Sequence, residues 1–134
     1  MIITDNLASQ EIEFGKTLGF YSHKSGYETG GIPVFWMSDP LDSHFKNRDE
    51  TRQVSLQIWE KGLLVTLINA NSLNAYWLIP FHQLSVYQST FLSIHAQGKR
   101  IQLNRDYLKL LYPNFINLLL ERKNEFLSPL DYYG

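Results

Sequence analysis

Between Gln53 and Leu103 apolar and polar positions alternate in short runs. Val54, Leu56 and Ile58 interleave with Ser55, Gln57 and Trp59, the period of two expected of a strand with one buried face. Leu63 to Ile68 is apolar on both faces and reads as a central strand. Ala75 to Ile79 resumes the pattern and stops at Pro80, which has no N–H to give a ladder. Leu84 with Val86, Leu92 with Ile94, and Ile101 with Leu103 mark three further strands. Turn chemistry separates them. Glu60-Lys61-Gly62 offers a glycine for a left-handed position in a three-residue loop, Asn69 to Asn74 is a polar turn, and Gln97-Gly98 signals a two-residue hairpin. Strands spaced about ten residues apart and joined by short turns predict an antiparallel meander.

From Arg105 the period changes. Leu108, Leu111, Phe115, Leu118 and Leu119 recur at three and four, one stripe of an amphipathic helix. Asn104 or Asp106 is placed to cap its start. Pro113 lies inside the stripe and predicts either a kink or a short helical piece followed by a helix beginning near Pro113. Ser128-Pro129 ends it.

The first fifty residues carry a weaker pattern. Thr4 or Asp5 suits a cap for a short helix through Leu7, Ala8, Ile12 and Phe14, yet Ile12-Glu13-Phe14 also alternates as a strand does. Leu18 to Tyr21 and Ile32 to Met37 read as strands joined by the glycine-bearing loop 22–31, and 38–51 reads as an exposed polar connection. No repeat or linker divides the chain, so 1–134 is expected to form one domain with 1–11 and 128–134 at its periphery.

These elements predict an α+β fold: an antiparallel β meander curled into a partly open barrel and closed by a C-terminal amphipathic helix. Over about residues 12–126 this element order resembles the pleckstrin-homology-like fold, including its bacterial members. In the lipid-binding members of that family, basic residues cluster around the first hairpin. Here that region has only Lys16 and Lys24, with Glu28 nearby. The tryptophan usual in the family's C-terminal helix is absent, because Trp36, Trp59 and Trp77 all lie upstream. The resemblance therefore implies the fold and no phosphoinositide function.

Composition narrows the chemistry. There is no cysteine, which removes disulfides, thiolate nucleophiles and cysteine-bound zinc. A net charge of -1 argues against general nucleic-acid binding. Residues 1–50 hold eight acids against four bases, and the remainder reverses that balance. The N-terminus shows no basic region before an apolar run, and no run is long enough to span a bilayer, so a cytoplasmic location is expected.

Several residue groups are candidate sites. Gly15-Lys16-Thr17 copies the tail of a phosphate-binding loop, but Gln10 stands where the earlier glycine belongs. Asp39, Asp42 and His44, with His23 if the fold brings it near, form a loop able to ligate a cation or supply an acid and a base. His82 and the Ser93/His95 pair invite a hydrolase reading. Residues two apart on a strand are ~7 Å from each other, too far for direct proton transfer. Aromatic residues are plentiful in the strands, among them Phe35-Trp36, Trp59, Tyr76-Trp77, Tyr87 and Phe91. Trp59 shares a polar face with Ser55 and Gln57 and is the expected exposed anchor. Lys99, Arg100 and Arg105 are the densest basic group.

The expected function is accordingly a non-enzymatic binding or interaction module without a cofactor, engaging a protein partner or a second copy of itself. Two alternatives stand beside it: a small metal-dependent enzyme using the Asp39/Asp42/His44 loop, and an anionic lipid headgroup site at Lys99, Arg100 and Arg105.

Overall fold

The structure is a computed structural model that describes residues 2–3, 26–38, 41–42, 52–68 and 75–127. Eight strands form one antiparallel sheet: β1 (Ile2–Ile3), β2 (Ile32–Met37), β3 (Gln53–Ile58), β4 (Gly62–Leu67), β5 (Ala75–Pro80), β6 (Ser85–Gln88), β7 (Phe91–Ala96) and β8 (Lys99–Asn104). Two helices follow, α1 (Arg105–Leu111) and α2 (Phe115–Leu127). The predicted α+β class and curled sheet are present. Strand order across the sheet is β1-β5-β4-β3-β2-β8-β7-β6. Among the described residues the edge strands β1 and β6 do not pair with each other, so the result is a half-barrel.

From β2 to β8 the meander is broken at one point, between β5 and β6, and β1 joins the far side of β5. Pro80 ends β5, and a single 3-10 turn over Phe81–Gln83 redirects the chain. Phe81, fully buried, anchors that turn, and its N–H donates to the Lys61 carbonyl at 3.0 Å. β2 takes the central position instead. Ile32 and Pro33 pair with β3, whereas Val34, Trp36 and Met37 pair with β8. One strand thus belongs to both halves of the sheet, a recognised way to turn a sheet corner.

Alternation explains the core. Leu56, Val65, Trp77, Ile94 and Ile101 point inward from five strands and are fully buried. β4 is buried on both faces, as its unbroken apolar run requires, because strands flank it on either side. The β3–β4 turn differs from expectation. The Trp59 N–H donates to the Gly62 carbonyl at 2.8 Å, so Glu60-Lys61 is a two-residue turn and Gly62 opens β4 without a left-handed φ.

Part of the expected 22–31 loop proves to be ladder. Thr29 N–H donates to the Leu56 carbonyl and Ile58 N–H to the Tyr27 carbonyl, both at 2.8 Å. The buried Thr29 hydroxyl accepts from Leu56 N–H at 3.0 Å and donates to the Gly30 carbonyl at 2.9 Å. Likewise Leu41, assigned to an exposed connection, is fully buried. The segments 4–25 and 43–51, with the undecided 5–15 element and the strand expected at Leu18 to Tyr21, lie outside the described residues.

Asn104 caps α1, its side chain accepting from Tyr107 N–H at 3.0 Å. The helix stops before Pro113, and α2 begins two residues after it, the second of the two predicted arrangements. The break resets the helical phase. Leu108, Phe115, Ile116 and Leu119 are buried while Leu111, predicted in the stripe, is exposed. α2 closes one end of the half-barrel, where Phe126 packs on Phe81 with ring centroids 5.6 Å apart. Among the described residues no helix is long and apolar enough to cross a membrane.

Candidate functional site

The outer face of the β2-β8-β7-β6 half is unusual for its rings. Register between β2 and β8 slips between Val34 and Trp36, leaving Phe35 as an extra residue in a bulge. Strict alternation would send one of Phe35 and Trp36 inward. The bulge leaves Phe35 64% and Trp36 41% exposed while Met37 returns to the core. Phe35 stacks on Phe91 of β7 at 4.2 Å between centroids. The Arg100 guanidinium lies 4.6 Å above the Trp36 ring, a cation–π contact. Tyr87 of β6, 58% exposed, meets His95 of β7 edge-on at 4.9 Å. Six of the outward positions of this face, Phe35, Trp36, Tyr87, Phe91, His95 and Arg100, are thus aromatic or cationic. Its other outward strand residues, among them Ser93 and Gln102, are uncharged and none is acidic.

At the β7–β8 hairpin end this face runs into a groove of about 510 Å³ lined by Trp36, Ser38, Gln83, Ser85, His95 and residues 96–100. Gln97 and Gly98 both take positive φ, 56° and 76°, as the predicted two-residue hairpin requires. The Gln97 side chain ties the hairpin across to β5. Its Oε1 accepts from the Trp77 indole N–H at 3.1 Å, and its Nε2 donates to Gln83 Oε1 at 2.7 Å and to the Leu78 carbonyl at 3.3 Å. Arg100 is fixed at its backbone, donating to Ser38 Oγ at 2.8 Å and accepting from Ser38 N–H at 2.9 Å. Burial, and secondly the Arg100 charge, hold the His95 imidazole below its ordinary value of 6.5.

Of the residues singled out from sequence, Lys99 and Arg100 open β8 and line the groove. Arg105 begins α1 at the far end of the same strand, about 17 Å away at a strand's rise per residue, so the three bases are not one cluster. Trp59 is not the exposed anchor expected of it. It is 6% exposed, packs with Leu64 and Leu78 on the outer face of the other half, and donates from its indole to Gln57 Oε1 at 3.1 Å. The neighbouring leucines make that outer face a second small core. Asp42 accepts an ion pair from Arg52 Nε at 2.8 Å. Asp39, His44, His23 and Gly15-Lys16-Thr17 lie outside the described residues. Among the described residues no three His, Asp or Glu side chains converge as a metal site.

Sequence reasoning found the rings but not their common face. The signal available was the adjacent pair Phe35-Trp36, since two neighbouring large rings on a strand cannot share a side without a bulge. No family model, curated protein or solved structure matches the chain.

Proposed function

We propose that this chain is a non-enzymatic binding module on a pleckstrin-homology-like half-barrel, and that it engages its partner through the outer face of β2, β8, β7 and β6. The observation that carries this reading is the exposure of Phe35, Trp36 and Tyr87 on one strand surface whose described outward residues include the Arg100 cation and no carboxylate. Large rings lose little conformational entropy on contact and dominate the energetic centres of interfaces. The order of strands β2 to β8 followed by the helices α1 and α2 is compatible with the family resemblance. An enzyme built on Asp42 gains no support, because its carboxylate is engaged by Arg52.

The test pairs the wild type with the double variant Phe35→Ser/Tyr87→Ser, each immobilised and exposed to lysate of the source cells or to a second, soluble copy of the chain. The wild type is expected to retain a defined partner that the variant loses while keeping the wild-type circular dichroism spectrum. Identical retention by both proteins would refute the assignment of this face.

A further inference from the structure

We infer that the groove at the β7–β8 hairpin is a site for a small organic anion, its single carboxylate or phosphate held by Arg100 and Lys99 and its flat apolar body lying against Trp36. This rests on the reading of the outer face as the binding surface and specifies what the groove at its hairpin end accepts.

Charge is the first argument. Arg52 and Arg122 have carboxylate partners, Asp42 and Glu125, each at 2.8 Å. Among the described residues neither Lys99 nor Arg100 has one, and no acid lines the groove. Lys99 Nζ reaches only the Gln97 carbonyl, at 3.5 Å. Two cations lining one groove without a counter-charge among the described residues form an electrostatic well for an anion.

Geometry is the second. The Arg100 backbone is held on both sides by Ser38, and its guanidinium carbon lies over the Trp36 ring, 4.6 Å from the centroid. A cation–π contact needs no hydrogen bond to an acceptor atom, which leaves the guanidinium N–H groups able to grip an oxyanion in two parallel bonds. Little ordering remains to be done on binding. The Ser38 and Ser85 hydroxyls add donors within the same groove. The third argument is size. About 510 Å³ suits one small molecule, and two cations balance one carboxylate or phosphate, not a polyphosphorylated headgroup.

The experiment is a 1H–15N NMR titration of the full chain with 2-naphthoate, 2-naphthyl phosphate and the neutral 2-naphthalenemethanol. Both anions are expected to move the amide signals of Lys99 and Arg100 and the Trp36 indole signal, with the alcohol at least about tenfold weaker. Arg100→Gln, at an exposed position, should weaken both anions about tenfold, and Lys99→Gln by less, since lysine acts as a point charge. A parallel arm sediments the protein with vesicles containing about one-third phosphatidylserine and expects no retention. Equal binding of the alcohol, anion binding untouched by Arg100→Gln, absence of shifts at the groove, or retention on vesicles without response to the free anions would each overturn the proposal. Loss of this proposal alone leaves partner retention through Phe35 and Tyr87 intact; loss of both takes the binding-face reading with it.

Discussion

Gln97 joins the two halves of the sheet on the hairpin side, and removing its side chain offers a direct test of what holds the half-barrel together. Gln97→Ala leaves the fully buried Trp77 indole N–H without its 3.1 Å acceptor. An orphaned buried donor costs about 1–3 kcal/mol. The bonds to Gln83 and the Leu78 carbonyl lie nearer solvent, where water replaces them at a cost of about 0.5 kcal/mol each. A total loss of about 3 kcal/mol follows. Gln97→Gly removes the same bonds but relieves a non-glycine residue held at φ 56°, which recovers about 1 kcal/mol. The expected order of stability is therefore wild type, then Gln97→Gly, then Gln97→Ala. At about 2.1 cal/mol/K per residue over 134 residues, the alanine variant should melt ~11 °C lower and the glycine variant ~7 °C lower. Calorimetry with urea unfolding measures both, and a cycle with Trp77→Phe isolates the indole bond. A glycine variant more stable than the wild type by the whole relieved strain, about 1 kcal/mol, would show that these bonds contribute nothing.

Other consequences can be measured separately. Thr29→Val keeps the shape of the side chain and removes the acceptor of Leu56 N–H, so it should lower stability by about 1–3 kcal/mol and speed hydrogen exchange at Leu56. Trp59→Ala should cost about 3 kcal/mol, roughly 10 °C in melting temperature, with naphthoate affinity unchanged, because Trp59 belongs to the second small core. His95 is depressed in the fold; it faces Ser85 and Tyr87 from β6 and Arg100 from β8, and among the described residues no acid stands beside it on that face. The unfolded chain thus binds that proton more readily. Stability is full above 6.5 and falls as pH drops from 6.5 through the folded value, and NMR titration in Arg100→Gln should show the His95 value raised while burial keeps it below 6.5. Phe35→Ser should cost about 1 kcal/mol or less, the worth of its stack on Phe91, yet abolish partner retention; a loss of ~3 kcal/mol by urea unfolding would mark the ring as structural.

What was legible in the sequence were the features set by local periodicity. Strands β3 to β8 follow from alternation, the Gln97-Gly98 hairpin from turn chemistry, and the Asn104 cap and Pro113 break from helix-end rules. What was not legible depends on contacts far apart in sequence. The insertion of β2 between β3 and β8 pairs Val34 with Leu103, and nothing near either residue announces the partner. Trp59 was placed correctly on the outer face, but its neighbours there, Leu64 and Leu78, come from other strands and convert an exposed position into a covered one. Arg105 looked close to Arg100 along the chain, whereas an extended strand holds them at its opposite ends.

The bulge in β2 connects the fold to the proposed function. The interior of the half-barrel is already filled by Trp77, Phe81 and Phe115, each fully buried, so two further rings have no place there. A regular β2 would direct either Phe35 or Trp36 into that packed interior, at the cost that overpacking brings. Slipping the register by one residue keeps Val34 and Met37 on the core side and turns both rings out. The sheet gives up a ladder pairing at that point, and stability alone offers no return for it, since serine or threonine at 35 and 36 would leave the interior unchanged. Under the proposed function, a surface that binds something flat and negatively charged would supply the return: Phe35 widens the apolar area, and Trp36 carries the Arg100 guanidinium in a cation–π contact.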